Sequence, residues 1–310
     1  MRSANRFVPC WLASFVILCT IGCAESESRS GHDGTKRGTP QVYTVNYPLA
    51  FFAQQIGGEH VDVRFPVPEN QDPTLWEPSV EDVTRLQSAD LILVNGADYA
   101  PWVKRVSLPR SKVVNTTEEA RQEYIDGVES VTHQHGPDGE HTHTALASTT
   151  WLDLQIAITQ LRSVKDALVK LVPNQSEVFE GRFVKLETEL KALDQELLDA
   201  WSSDEPAPVL SAQPVYQYLA RRYGLRVESV RWEPDEMPDE EAWKELAASL
   251  ETTSAKAMLW QTEPIQEIRA ELKRLGISVV VYSPASNRPK SGDFIRVMKE
   301  NVASMINSRK

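Results

Sequence analysis

Between residues 174 and 201 the apolar positions fall at Phe179, Phe183, Leu186, Leu190, Leu193, Leu197 and Trp201. Steps of four and three trace one face of an α-helix. Lys185, Glu187, Lys191 and Glu196 lie between them and keep the other faces polar. Asn174 follows Pro173 and has Glu177 three residues on, the pattern of an N-cap with its capping box. Ser202, Ser203, Asp204, Pro206 and Pro208 mark the end, because proline cannot continue a helix. At about 1.5 Å per residue this helix would run roughly 40 Å. Such a length suits a strut that joins two lobes.

Strand-like and helix-like stretches alternate on both sides of it. On the N-terminal side, 41–46 reads as a strand and 49–56 as a helix opened by Pro48 and stopped by Gly57-Gly58. Residues 60–65 alternate like a strand, which places His60 at a strand edge rather than on a metal. After a proline-rich loop over 66–78, Ser79 caps a short helix carrying Val83 and Leu86. Residues 89–94 form a buried parallel strand and 112–115 a weaker one. The stretch 116–150 shows little periodicity, and 151–172 is helical. On the C-terminal side, strands are expected over 209–211, 226–231, 256–260 and 277–282. Helices are expected over 215–223, 238–250, 265–275 and 292–306, with Gly224 and Gly276 closing two of them. The pattern predicts the α/β class, with two similar lobes of parallel sheet flanked by helices and a long rigid helix between them. A ligand would sit where strand C-termini of the two lobes face each other.

Composition narrows the setting. The chain has 310 residues, 41% apolar and 25% charged, enough for two lobes each with a core. A net charge of −11 without a Lys/Arg run disfavours nucleic acid as a partner. Cys10, Cys19 and Cys23 are the only cysteines, so the body offers neither disulfide nor thiolate. Arg2 and Arg6, the apolar run 11–18 and Thr20-Ile21-Gly22-Cys23 read as a secretory signal, too short to span a membrane comfortably. A small residue before a cysteine is the lipoprotein form of that signal. It predicts export to the periplasm and a membrane anchor on lipidated Cys23, although Thr20 stands where leucine is usual. Residues 24–40 are polar and read as a flexible tether. The expected division is therefore signal 1–23, tether 24–40, first lobe 41–150 with a His-rich loop at 131–144, linking helices 151–203, and second lobe 204–310.

Several motifs occur in order: Asn46-Tyr-Pro-Leu49, Gln55-Ile-Gly-Gly58, Asp72-Pro-Thr-Leu-Trp-Glu-Pro78, Leu86-Gln-Ser-Ala-Asp90, Asn95-Gly-Ala97 with Pro101-Trp102, Trp151-Leu-Asp153 and Tyr218-Leu-Ala-Arg-Arg-Tyr-Gly-Leu225. With the His-rich loop they resemble the zinc/manganese-type solute-binding proteins of ABC importers, the high-affinity zinc uptake proteins in particular. The resemblance covers about 42–306. It implies a periplasmic-binding-protein-like fold and a cleft that holds one metal through three histidines and a carboxylate. Placed on this sequence, the three histidines fall at Thr74, Thr149 and Gln213, the last acidic residue at Ser283, and a glutamate at Gln261. Neutral oxygens and amides make a poor zinc site beside imidazoles, so the cleft is expected not to bind zinc tightly. Asp72, Glu77, Asp153 and Glu263 lie near these positions. They read as helix caps and loop acceptors, or alternatively as a shifted, harder site. No histidine follows His143.

The loop keeps its histidines. His133 and His135, then His141 and His143, flank Gly-Pro-Asp-Gly and could gather around one Zn²⁺. Ordering a loop has a cost, so the expected affinity is on the order of micromolar. The alternative is a solvated loop without function. The leading expectation is a monomeric substrate-binding lipoprotein that passes a metal ion to an ABC permease. The alternatives are an interaction protein that keeps the fold, and a binder of a small polar ligand in the cleft. An enzyme is not expected, since there is no Gly-x-Ser-x-Gly, no cysteine after Cys23 and no Gly-rich phosphate loop.

Overall fold

A computed structural model describes residues 38–134, 140–201 and 207–308, with main chain alone at 127–134, 140–145 and 207. The signal, Cys23, most of the tether, His135 and residues 202–206 lie outside the described residues.

The first lobe is built from β1 (Gln41–Thr44), α1 (Tyr47–Gly57), β2 (Asp62–Arg64), α2 (Val80–Ser88), β3 (Leu91–Val94) and β4 (Val113–Asn115). Its strands are parallel in the order β2-β1-β3-β4. Asn46 caps α1 by accepting the Leu49 N–H, and Pro48 occupies the first turn, where its missing N–H costs nothing. Ser79 and Asp82 form a full capping box on α2. His60 stands in a 3-10 turn, Gly58–His60, before β2 begins, with its ring 5.9 Å from Phe179. The expected strand edge there is corrected: the chain needs one tight turn after Gly58 before it can enter the sheet.

The aperiodic stretch is more ordered than its sequence suggests. A 3-10 turn, Glu118–Glu123, leads to an antiparallel ribbon of β5 (Asp126–Gln134) and β6 (Glu140–Leu146). Two strands that pair only with each other need no apolar alternation, so periodicity misses them.

α3 (Leu154–Leu171) and α4 (Ser176–Trp201) follow. The apolar stripe of α4 is buried as expected, from Phe179 to Trp201. Asn174 does not cap it. That residue sits inside the 3-10 turn Pro173–Gln175, which passes directly into Ser176 already in helical geometry. α4 packs against α1 and α3 of the first lobe.

The second lobe comprises β7 (Ala207–Ser211), α5 (Gln217–Tyr223), β8 (Leu225–Ser229), α6 (Glu240–Thr253), β9 (Ala257–Trp260), α7 (Gln266–Arg274), β10 (Ser278–Val281) and α8 (Phe294–Asn307). α4 also contacts α5 and α8, so the strut touches both lobes. The second sheet, also parallel, has the order β10-β9-β7-β8. From its other edge that is second, first, third, fourth, the winding of the first lobe. Each sheet therefore switches direction between its first and third strands, where strand C-termini open a crevice. One core runs through both lobes. In it Phe294 of α8 meets Phe51 and Phe52 of α1 with ring centres 5.8 and 5.4 Å apart. A smaller core in the second lobe centres on Trp232, Trp260 and Leu246.

Candidate functional site in the cleft

At the C-terminal ends of the first lobe's strands a knot of buried polar side chains sets the cleft wall. Asn95 Oδ1, just after β3, accepts from Asn46 Nδ2 (3.1 Å), Gln160 Nε2 (3.0 Å) and Thr150 Oγ1 (3.3 Å). Its amide donates to the Ser148 carbonyl at 3.0 Å, and Thr117 Oγ1 donates to its main-chain carbonyl at 2.6 Å. The loop carrying Thr149 and Trp151 is therefore held by groups from three strand ends and α3.

The positions where the resemblance places metal ligands are mostly bonded to protein. Thr74 donates its N–H and Oγ1 to Asp72 Oδ1 at 2.8 and 2.7 Å. Thr149, 6% exposed, donates Oγ1 across the cleft to the Val215 carbonyl. Gln213 Nε2 donates to the Trp232 carbonyl (3.1 Å) and Glu233 Oε1 (2.8 Å). Ser283 Oγ accepts the Ala285 N–H at 3.2 Å, while Asn301 grips the Ser283 main chain at 2.9 and 2.7 Å. Gln261 alone has no hydrogen-bond partner among the described residues. Gln261, Ser283 and Asp72 line one groove of about 740 Å³ between the lobes; Thr74, Thr149 and Gln213 do not.

The four nearby carboxylates do not converge. Asp153 caps α3 through the Gln155 and Ile156 N–H groups and pairs with Arg221 (3.2 Å) and Arg222 (3.8 Å). Glu77 pairs with Arg105 and Glu263 with Arg269, while Asp72 anchors the Thr74 turn. Among the described residues no three His, Cys, Asp or Glu are grouped to hold a metal ion. On the ribbon, the register sets His133 opposite His141 and Val131 opposite His143. His135 lies outside the described residues.

Sequence reasoning did not find the groups that join the lobes. After β10 the chain crosses to the first lobe. There the Pro284 carbonyl accepts from Trp151 Nε1 (2.7 Å) and the Ser286 carbonyl accepts the Tyr47 N–H (3.0 Å). Asn287 Nδ2 donates to the carbonyls of Pro68 (2.6 Å) and Gln71 (2.8 Å). Arg288 donates to the Phe65 and Val67 carbonyls and lies 4.6 Å over the Phe65 ring. On the opposite flank Arg221 reaches the Glu123 carbonyl, and Tyr218 Oη accepts the Ile125 N–H. The loop residues among them carry no periodicity, and the motif that holds Tyr218 and Arg221 on α5 does not mark their partners across the cleft. Tyr99 was also missed. Its hydroxyl is fully buried, finds no hydrogen-bond partner, and lies near Asp72 and Ser286. Burial, and after it the Asp72 charge, raises its pKa far above the ordinary tyrosine value.

Comparison with known proteins agrees with this geometry. The High-affinity zinc uptake system protein ZnuA of Bacillus subtilis is 24% identical over 311 residues, covering 96% of this chain and 97% of its own length. Zinc-binding lipoprotein AdcA of Streptococcus pneumoniae is 23% identical over 305 residues; the match takes in 95% of this chain but 59% of AdcA. In fold, the metal-dependent lipoprotein YcdH from Bacillus subtilis superposes with a TM-score of 0.72 at 21% identity, over 87% of this chain and 99% of YcdH. Zn(II)-bound AdcA gives 0.71 at 20% identity, over 87% of this chain and 58% of that one. Residues 42–308 match the family described as ZnuA, zinc-uptake complex component A, periplasmic. Two parallel-sheet lobes, a bridging strut and a match over nearly all the described residues lead to one conclusion: the chain belongs to the ZnuA family of periplasmic zinc-uptake components.

Proposed function

We propose that this protein is the exported solute-binding component of a zinc-type ABC importer, tethered through lipidated Cys23, and that its cleft does not take zinc as cargo. Family membership and the names of its relatives support the importer role. The observation that carries the cleft reading is the state of the five ligand positions. Thr74, Thr149, Gln213 and Ser283 are hydrogen-bonded to protein, and only Gln261 and Ser283 share a groove. A dication leaving water needs imidazole or carboxylate donors in compensation. Neutral groups already bonded elsewhere do not provide them.

Metal is instead collected at His133, His135, His141 and His143, for delivery to the permease by a monomer. The pairing of His133 with His141 supports this, because residues directly opposite in an antiparallel pair stand about 5 Å apart. Calorimetric titration of the full-length protein with zinc tests the reading, beside a variant with all four histidines changed to alanine. One weak site, on the order of micromolar and lost in the variant, is expected. Tight binding that survives the substitution would sink the cleft reading, and no binding by the parent protein would sink the ribbon reading. The direct bonds between the lobes favour a second reading, an interaction module that docks without cargo. Thermal stability indifferent to zinc would point to it.

A further inference from the structure

The walls of the 740 Å³ groove are cross-linked to protein, while most of the polar groups facing into it are not. Asn287 ties the main chain at Pro68 and Gln71, and Asn301 grips Ser283, so both rims are fixed before any ligand arrives. Such preorganisation lowers the ordering cost of binding. The volume falls within the usual range of small-molecule sites.

The charges on the lining can be accounted for one by one. Glu300 is taken by Arg296 (2.9 Å) and Arg288 by carbonyls of the first lobe. Glu69, Asp72 and Lys290 have no ion pair among the described residues. Asp72 commits Oδ1 to Thr74 and leaves Oδ2 unbonded. The Gln261 amide is also unbonded. The first lobe thus presents two unpaired carboxylates, and the second one unpaired ammonium and an amide.

We infer that this groove binds a zwitterionic amine, a free basic amino acid. Its ammonium groups face Glu69 and Asp72, and its carboxylate faces Lys290 and Gln261. The excess of one carboxylate sets the preference for a second positive charge. The inference shares with the proposed function only the premise that the cleft takes no zinc, so a ribbon that fails to bind metal leaves it intact.

Titration calorimetry of the full-length protein with free L-arginine, L-alanine and L-glutamate tests it. Saturable binding of arginine is expected, at least about tenfold tighter than glutamate, since reversing one charge at contact distance is worth that or more. Asp72→Asn keeps a carbonyl oxygen for the Thr74 turn and weakens arginine about tenfold. Lys290→Gln, on an exposed loop, weakens arginine and alanine alike. Thermal melts matching the parent protein show that both variants fold. The four-histidine variant retains arginine binding in full. No saturable heat with any of the three, glutamate binding as tightly as arginine, or arginine binding unchanged in both groove variants overturns the inference.

Discussion

Gly96 stands at the centre of the polar knot with φ +81°, and a Cβ there would strike Thr117 Oγ1, the Tyr124 hydroxyl and Asn115 Oδ1. Gly181 is the opposite case, in the second turn of α4 with open space where its Cβ would be. Gly96→Ala is expected to lose more than about 2 kcal/mol, from backbone strain plus displaced hydrogen bonds. Gly181→Ala should gain about 0.5–1 kcal/mol from helix propensity. Urea midpoints of both variants decide; equal and small effects would mean that the knot does not hold the cleft wall. In the sequence Asn46 reads as the end of a strand, and its role as the cap of α1 came with the structure. The role of Asn95 was no more legible, because its three donors arrive from separate elements.

α4 shows the same contrast at the scale of an element. Its apolar stripe was legible because a core-facing helix must repeat near 3.6 residues. Asp194 lies among the buried residues of that helix, and no periodicity accounts for it. It is there to receive Arg222 and the Tyr223 hydroxyl of α5, the latter at 2.9 Å. Burial, then Tyr282 and Asp194, lifts the Tyr223 pKa far above its ordinary value of 10.0; burial likewise lifts those of Tyr216, Tyr218 and Tyr282. A raised folded-state pKa gives stability that is whole below the unfolded value and lost as pH rises beyond it. Denaturation midpoints should therefore hold steady to about pH 10 and fall above it. A flat profile to about pH 11 would show that these hydroxyls are more solvated than the packing implies.

For the whole molecule, the lobes are joined by protein groups on both flanks of the cleft. Solution scattering of the full-length protein should give one radius of gyration with zinc and with chelator, within about 0.5 Å, as expected when interface backbone is already in place. A contraction on adding zinc would mean that the cleft closes on metal after all. The two-lobed α/β plan, the strut and the family were determined by the sequence alone, because helix and strand periods, caps and short motifs are properties of neighbouring residues. The helix edges, the turn at His60 and the β5–β6 ribbon needed the structure, since main-chain pairing leaves little trace in side-chain pattern. The joined cleft was decided entirely by tertiary structure. Arg288 and the Phe65 carbonyl it holds are 223 residues apart, and only the return path of the chain brings them together.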